Sequence, residues 1–563
     1  MKRLSILALS VFLYCTSLEA QNVLRGPYFQ VPTSTSMKVM WRTDIATPSR
    51  VYYATTLGGI MSNSVDVPAS VTDHTVELVN LQPYTEYYYA ISDGTSTLLA
   101  GGDEDHKFRT SPEIGTVQPI SVWAIGDFGK GNSKQVAVKD AYLDHIGDDM
   151  PDMWLWLGDN AYPDGTDQEY TDHVFGEVYG YGEILPRVPF MATPGNHDYL
   201  SVTGEILIPG ADPTTHDGPY YDVVDVPING EIGCVTSVYD LYYSFDYGNV
   251  HFMSLNSEIG NPINELWDWT GVYQFGSFDG SPFIDWMHAD LQANDKPWVV
   301  AFIHQPPHTD GSHESGTFYE VYMEAVRENI CPILESYGVD LLIAGHSHVY
   351  ERSFLVNGFY GLPNDFNASQ HLVDGSSGKL SEGEPYIKYT NGPNQNLGIV
   401  YVVQGNSGST EDEAGLEHPV MYYGHACDTC VGSTMLYIHG DTLSGEYLTK
   451  DGEILDEWTI IKQADPTSVE DASGFPVSSI DVYPNPFNIE TTVQFEINEE
   501  LWANVELVDL KGRILHELHR GGMSAGTKKF ILNVSDLGLA KGAYLIRVIT
   551  DKRPAVARII KVE

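Results

Sequence analysis

The sequence predicts a multidomain protein: an all-β sandwich first, an α/β domain in the middle, and a second all-β sandwich last. Three observations carry this. A chain of 563 residues exceeds what one hydrophobic core supports, so three or four domains are expected. Short alternating apolar runs fill residues 22–111, apolar strands spaced by helical stretches fill 117–445, and alternation returns over 478–563. Between the last two, residues 463–477 contain Asp465-Pro466-Thr467-Ser468 and Gly474-Phe475-Pro476 and read as a linker.

The N-terminal end is a signal peptide by pattern. Met1-Lys2-Arg3 precedes an apolar run from Leu4 to Tyr14, and Ser17-Leu18-Glu19-Ala20 offers cleavage after Ala20, so residues 1–20 are set apart. The run is short for a membrane span, and Tyr14 is too bulky for lipoprotein processing at Cys15. No later segment is long and apolar enough to cross a bilayer, so an exported chain without a transmembrane segment is expected. Cys234, Cys331, Cys427 and Cys430 can pair in three ways, and sequence does not choose among them. Cys427-Asp428-Thr429-Cys430 reads as a small structural disulfide rather than a redox or zinc motif. The formal net charge of −47 excludes nucleic acid and anionic membranes as natural partners. An anionic substrate would need strong local positive charge, for which metal ions are the obvious source.

In chain order, Met37-Lys38-Val39-Met40-Trp41, Arg50-Val51-Tyr52-Tyr53 and His74-Thr75-Val76-Glu77-Leu78 read as strands of the first sandwich. Leu81-Gln82-Pro83-Tyr84-Thr85-Glu86-Tyr87-Tyr88-Tyr89 resembles the tyrosine-corner strand of a fibronectin type III module, with Tyr87 tied back to upstream backbone. Gln135–Ile146 and Phe318–Leu334, the latter interrupted by Pro332, have helical spacing. The last strands run from Thr491-Thr492-Val493-Gln494-Phe495 to Ala543-Tyr544-Leu545-Ile546-Arg547-Val548. With Val482-Tyr483-Pro484-Asn485-Pro486-Phe487, Asp509-Leu510-Lys511-Gly512-Arg513, Ser524-Ala525-Gly526 and Lys541-Gly542-Ala543-Tyr544, this region resembles the C-terminal sorting domains of the type IX secretion system. That resemblance implies export through the periplasm to a secreted or surface-attached form, with the secretion machinery as a partner.

The chemistry-bearing residues fall at the ends of five apolar runs. Ser121–Ile125 precedes Gly126-Asp127-Phe128-Gly129, and Trp154–Leu157 precedes Gly158-Asp159-Asn160-Ala161-Tyr162. Pro189–Ala192 precedes Gly195-Asn196-His197-Asp198, Trp298–Ile303 precedes His304, and Leu341–Ala344 precedes Gly345-His346-Ser347-His348. A Gly-Asp after a strand is usually a turn, and a lone histidine is usually structural. Five such clusters, all at strand ends where α/β sheets bind ligands, point to one metal site.

Their order matches the calcineurin-like metallophosphoesterases, and Tyr162 narrows the resemblance to the purple acid phosphatases, as does the opening Leu24-Arg25-Gly26-Pro27-Tyr28. A central metallophosphoesterase fold, a layered β-sandwich flanked by helices, is thereby implied for 117–445, with the purple acid phosphatase N-terminal domain at 22–111. Ala301 stands where the family often has valine, a change a strand tolerates. The resemblance implies a first metal on Asp127, Asp159, Tyr162 and His348, and a second on Asp159, Asn196, His304 and His346. The hard anionic first set suits Fe3+; the mostly neutral second set suits Zn2+, Fe2+ or Mn2+. A metal-bound hydroxide would attack the phosphate ester. His197 is expected to bind phosphate and His313 to protonate the leaving oxygen, with His308 as the alternative donor or else a solvated surface residue. Asp198 and Arg352 are expected to order the ligands from behind.

Three readings are open: a phosphomonoesterase of acid phosphatase type, a phosphodiesterase or nucleotide hydrolase on the same metals, and a non-catalytic surface adhesin or binding protein. The loops at 200–235 and 257–280 would decide between the two enzymes.

Overall fold

The computed structural model describes residues 21–203, 218–237, 240–258, 282–317, 320–410, 416–465, 480–497, 500–509, 513–535, 537–550 and 555–562. The signal-peptide reading of 1–20, with Cys15, lies outside them, as do most of the linker and large parts of both specificity loops. The chain forms two compact units, Met1–Asp465 and Pro466–Glu563.

The first unit opens with one sheet of β1 (Val23–Gln30), β2 (Ser36–Ala54), β3 (Asn63–Val79), β4 (Glu86–Ser92), β5 (Leu98–Gly101) and β6 (Lys107–Arg109). Its alternation is the expected one: Met37, Val39 and Trp41 on β2, with Val76 and Leu78 on β3, point into one core. The Tyr87 hydroxyl accepts the Gln82 N–H at 2.9 Å, which anchors β4 to the turn before it. Buried Arg25 reaches across to Asp167 at 2.7 Å, and Tyr28 donates to the Val223 carbonyl at 3.1 Å, so this sheet is docked on the next domain.

That domain contains β7 (Ile120–Ile125), β8 (Met153–Leu157), β9 (Phe190–Thr193), β10 (Tyr243–Tyr247), β11 (Val250–Ser254), β12 (Trp298–Ile303), β13 (Leu341–Ala344) and β14 (Tyr350–Ser353). A short ribbon of β15 (Leu355–Val356) and β16 (Leu372–Asp374) comes next, then β17 (Tyr386–Tyr389), β18 (Val400–Gln404), β19 (Met421–His425), β20 (Gly432–His439), β21 (Thr442–Thr449) and β22 (Ile454–Gln463). Two seven-stranded sheets result, ordered β17-β22-β21-β20-β7-β8-β9 and β10-β11-β12-β13-β18-β14-β19. Trp123, Trp154, Trp156 and Phe190 of the first share a core with Phe252, Phe302, Ile343 and Val402 of the second. Every residue of β8, β12 and β13 is buried, which explains why these strands read as unbroken apolar runs. Among the helices, Ser133–Ile146 is capped by the Asn132 side chain, which accepts from the N–H groups of Lys134 and Gln135. The stretch expected as a helix to Leu334 is helical without a break from Val321 to Ser336, with a π-helical segment, Val326–Ile330, between the α-helical Val321–Ala325 and Cys331–Ser336.

The boundary at residue 445 needs moving. It falls inside β21, and β22 pairs with both β21 and β17, so the domain cannot close its first sheet before Gln463. Arg352 also departs from expectation. Its guanidinium does not back the metal ligands; it spans the core from β14 to β22, at 2.6 and 2.9 Å from the two Asp456 oxygens, and donates to the Tyr386 hydroxyl at 2.5 Å. Cys427 and Cys430 form a disulfide, while Cys234 and Cys331 are free thiols.

The second unit has β23 (Asp481–Tyr483), β24 (Glu490–Ile497), β25 (Leu501–Val508), β26 (Ile514–Met523), β27 (Gly526–Asn533), β28 (Gly542–Thr550) and β29 (Ala555–Lys561). They form sheets β23-β24-β27 and β26-β25-β28-β29 around Phe487, Val493, Phe495, Val505, Leu507 and Ile546. Leu510, Lys511 and Gly512 of the tail motif lie outside the described residues. No helix among the described residues is long and apolar enough to cross a membrane.

Arg352 and Asp456 are both fully buried, so removing one partner leaves a charge uncompensated in the core. Asp456→Asn is expected to lower the unfolding free energy by about 3–5 kcal/mol. Chemical denaturation followed by tryptophan fluorescence measures it, and an unchanged midpoint would contradict this role.

Candidate metal centre

The five clusters meet at one edge of the sandwich. Strands β7, β8 and β9 run parallel in the first sheet, and β12 and β13 run parallel in the second. Their carboxyl ends deliver Asp127, Asp159, Asn196, His304 and His346. Two bonds stitch the sheets together there: the His346 N–H donates to Asp127 Oδ2 at 2.7 Å, and His304 Nδ1 donates to the Leu157 carbonyl at 3.0 Å. Asp127, Asp159 and His346 hold φ of +56°, +52° and +67°. Left-handed backbone at three non-glycine residues is strained, and strain of this kind gathers at functional sites. A Cβ at Gly195 would fall 2.3 Å from Asp159 Oδ1, so only glycine lets the two loops approach.

The donors form two groups that share Asp159. Around its Oδ2, the Tyr162 hydroxyl lies at 2.8 Å; that hydroxyl is also 2.8 Å from Asp127 Oδ1 and 3.4 Å from His348 Nε2. Around its Oδ1, His304 Nε2 lies at 3.2 Å; that nitrogen is also 3.1 Å from Asn196 Oδ1 and 3.3 Å from His346 Nδ1. Asp127, Asp159, Tyr162, His304 and His346 are buried, while Asn196 and His348 are half-buried at the mouth. A phenol has one proton, yet Tyr162 faces two carboxylate oxygens at hydrogen-bond distance. With Nδ1–H committed to Leu157, a neutral His304 would turn its Nε2 lone pair on the oxygens of Asp159 and Asn196, so this place calls for a proton or a metal ion. Acceptors converge on acceptors in both places, and a cation in each satisfies them. The donor sets therefore fit two metal ions: carboxylate, shared carboxylate, phenol and imidazole on one side, and shared carboxylate, amide and two imidazoles on the other.

The electrostatics agree. Burial, reinforced by the charges of Asp127 and Asp159, holds the Tyr162 phenol well above its ordinary value. Burial disfavours a charged His304, but the negative charges of Asp159, Asp127 and Glu258 outweigh it and lift this histidine to about 10. The cluster demands positive charge. Burial and the neighbouring His313 press His346 down to about 4, which keeps its imidazole neutral.

Behind the ligands, buried Asp198 accepts from the N–H groups of Asn160 at 3.0 Å and Gly195 at 2.8 Å, and from the Tyr170 hydroxyl at 2.6 Å. It thus pins the Asp159 loop to the Asn196 loop. Burial and the charge of Asp159 push its carboxyl up to about 7. His197 donates its backbone N–H to Asp159 Oδ1 at 2.8 Å, and its Nδ1 meets the Pro163 carbonyl at 2.5 Å, which turns Nε2 toward the centre. His313 stands at the rim, its ring centroid 4.0 Å from that of His346. His308 is brought to neither. It is buried against Phe359, Tyr401 and His418, where burial keeps it far below its usual value, so it is neither an acid nor a surface residue.

Three neighbours of the centre carry no sequence motif. Glu320 contacts His313 and His346, Glu258 bonds Gln305 beside the ligand His304, and Lys130 Nζ sits 3.3 Å from the Tyr162 ring centroid. Only Lys130 had a legible cue, since it comes directly after the Gly-Asp-x-Gly turn.

Comparison with known proteins places the chain. Residues 120–350 match the family described as calcineurin-like phosphoesterase, 27–110 the purple acid phosphatase N-terminal domain, and 481–562 the secretion system C-terminal sorting domain. Purple acid phosphatase 15 of Arabidopsis thaliana is 27% identical over 54% of this chain and 53% of its own length. Acid phosphatase type 7 of Danio rerio is 24% identical over 76% of this chain and 88% of its own length. The chain spans about half to two thirds of the length of the first plant relatives, 53% and 63% for two of them. In fold, it is similar to purple acid phosphatase PPD1 from yellow lupin seeds, with a TM-score of 0.57 at 18% identity over 79% of this chain and 77% of that one. PhoD gives a TM-score of 0.52 at 15% identity over 78% and 93%. The chain thus carries a purple acid phosphatase N-terminal domain and a calcineurin-like phosphoesterase domain, followed by a secretion system C-terminal sorting domain.

Proposed function

We propose that this protein is an exported acid phosphatase that hydrolyses phosphomonoesters at a dinuclear metal centre. The observation that carries the reading is the Asp159 carboxylate, whose Oδ2 lies 2.8 Å from Tyr162 and whose Oδ1 lies 3.2 Å from His304. Asp127, Asp159, Tyr162 and His348 would hold Fe3+; Asp159, Asn196, His304 and His346 would hold Zn2+, Fe2+ or Mn2+. When bound, two such ions supply an activated water and offset charge on the phosphate oxygens. The chain's own residues do the rest. His197, with Nδ1 tied to the Pro163 carbonyl, offers Nε2 to a phosphate oxygen. His313, at the rim beside His346, donates a proton to the departing alkoxide. The buried walls formed by Asp127, Asp159 and His304 exclude bulk water, which strengthens each of these interactions. The sorting domain would take the protein to the cell surface or beyond it.

The test is a metal-loaded protein assayed on phosphomonoesters and phosphodiesters. Faster turnover of diesters would overturn the monoester assignment, and no turnover of either would favour a binding protein.

His313→Ala is expected to lower turnover of alkyl phosphates by about 100-fold or more while sparing activated aryl phosphates, whose leaving groups need little protonation. Equal losses on both would assign His313 to binding. Tyr162→Phe is expected to abolish the visible phenolate-to-iron absorption of the oxidised iron-loaded protein. A colourless wild-type protein in that state would point to an all-divalent centre. A chain ending at Asp465, the limit of the first unit, should keep its turnover but remain periplasmic in a host with type IX machinery. Normal surface delivery of that chain would overturn the sorting role.

A further inference from the structure

Glu320 joins two histidines that have different tasks. It precedes the helical segment Val321–Ala325 in the N-cap position, yet its side chain makes no capping bond, so the helix does not use it. One carboxylate oxygen, Oε1, lies 2.7 Å from His313 Nδ1, and the other, Oε2, lies 3.7 Å from His346 Nε2. His346 directs its opposite nitrogen, Nδ1, into the second donor group, 3.3 Å from His304 Nε2. The His313 and His346 rings lie nearly face to face, at 4.0 Å and 30°.

We infer that Glu320 is a positioning residue that couples the proton donor to the second metal seat. The inference rests on the phosphomonoesterase reading. An imidazole gives a metal its lone pair only when its other nitrogen carries the proton, and a carboxylate that accepts that N–H fixes both tautomer and ring orientation. The Glu320 charge, 3.7 Å from His346 Nε2, favours the proton on that nitrogen, so Nδ1 faces the seat with its lone pair. The same carboxylate accepts Nδ1–H of His313, which leaves Nε2 to face the leaving oxygen. His313 is 35% exposed and would otherwise turn freely about its side-chain bonds. Because one rigid group serves both rings, filling the seat steadies His346, then Glu320, then the donor. The proton donor is thus aligned only when the second metal is in place.

The experiment compares the full metal-loaded chain with Glu320→Gln, which keeps size and removes charge. Calorimetric titration with Zn2+ should show the second seat weakened by about 10–100-fold, with the visible absorption of the iron seat unchanged. At saturating metal, alkyl phosphate turnover should fall about 10–100-fold and activated aryl phosphate turnover by less than about threefold. The double variant with His313→Ala should be no slower on alkyl phosphates than His313→Ala alone, as expected when one residue acts through another. Unchanged zinc affinity together with an unchanged leaving-group dependence would overturn the inference. So would three metal equivalents in the wild type against two in Glu320→Gln, because Glu320 would then be a ligand of a third ion. If Glu320→Gln fails to fold, Glu320→Asp, which keeps the charge and shortens the reach, is read by the same two measurements. A wild type that binds two ions but cleaves no ester would refute the proposed function, while the zinc titration would still decide the role of Glu320 at the seat.

Discussion

The Asp159 carboxylate is asked to face two donor groups at once, and much of the surrounding structure serves that demand. Its backbone is left-handed at φ +52°, a conformation that costs a non-glycine residue about 1–3 kcal/mol. Gly195 must lack a side chain to let the Asn196 loop approach it. Asp198, fully buried, collects N–H groups from both loops so that neither can drift. These are local costs, and the sandwich offsets them. Two sheets packed through a continuous aromatic core, with the Arg352–Asp456 pair spanning it, give the edge where the strands end its rigidity.

The strand ends are legible in the sequence because the physics there is local. A strand buried on both faces must be apolar throughout, so Trp154–Leu157 and Trp298–Ile303 stand out, and the first polar residue after each marks its exit. The residues just past an exit at the carboxyl edge form either a turn or a site, and five exits with ligand-type residues favour the site. The partition into two groups comes from family resemblance, and the distances place the same residues together. Arg352 is misread from sequence because its proximity to His348 suggests a shared task. Alternation along β14 instead points its side chain into the core, toward Asp456 a hundred residues later. His308 is misread for a related reason, since a polar residue in a loop-like stretch carries no sign of the aromatic pocket that encloses it. Glu320 is invisible because nothing local distinguishes it from 76 other acidic residues: 77 Asp and Glu less itself. Its meaning lies in two histidines, one of them 26 positions away, at 346 less 320.

That excess of acidic residues bears on the chemistry. A net charge of −47 opposes the approach of a phosphate ester, yet at physiological ionic strength the field of distant carboxylates is screened within about 8 Å. The potential a substrate meets at close range is therefore set by a few groups. The bare donor set alone would repel it, since Asp127, Asp159 and Glu320 are anionic. Two metal ions of combined charge +4 to +5 would reverse this within a bond length or two. Lys130 adds to the reversal, because its ammonium lies on the face of the Tyr162 ring, 3.3 Å from the centroid. A cation held there stabilises negative charge on the phenol oxygen, the same charge that a trivalent ion needs from its ligand. On the proposed reading the acidic surface and the pocket are compatible: the surface charge would keep the exported chain in solution, and the pocket, once loaded with metal, would hold the anion.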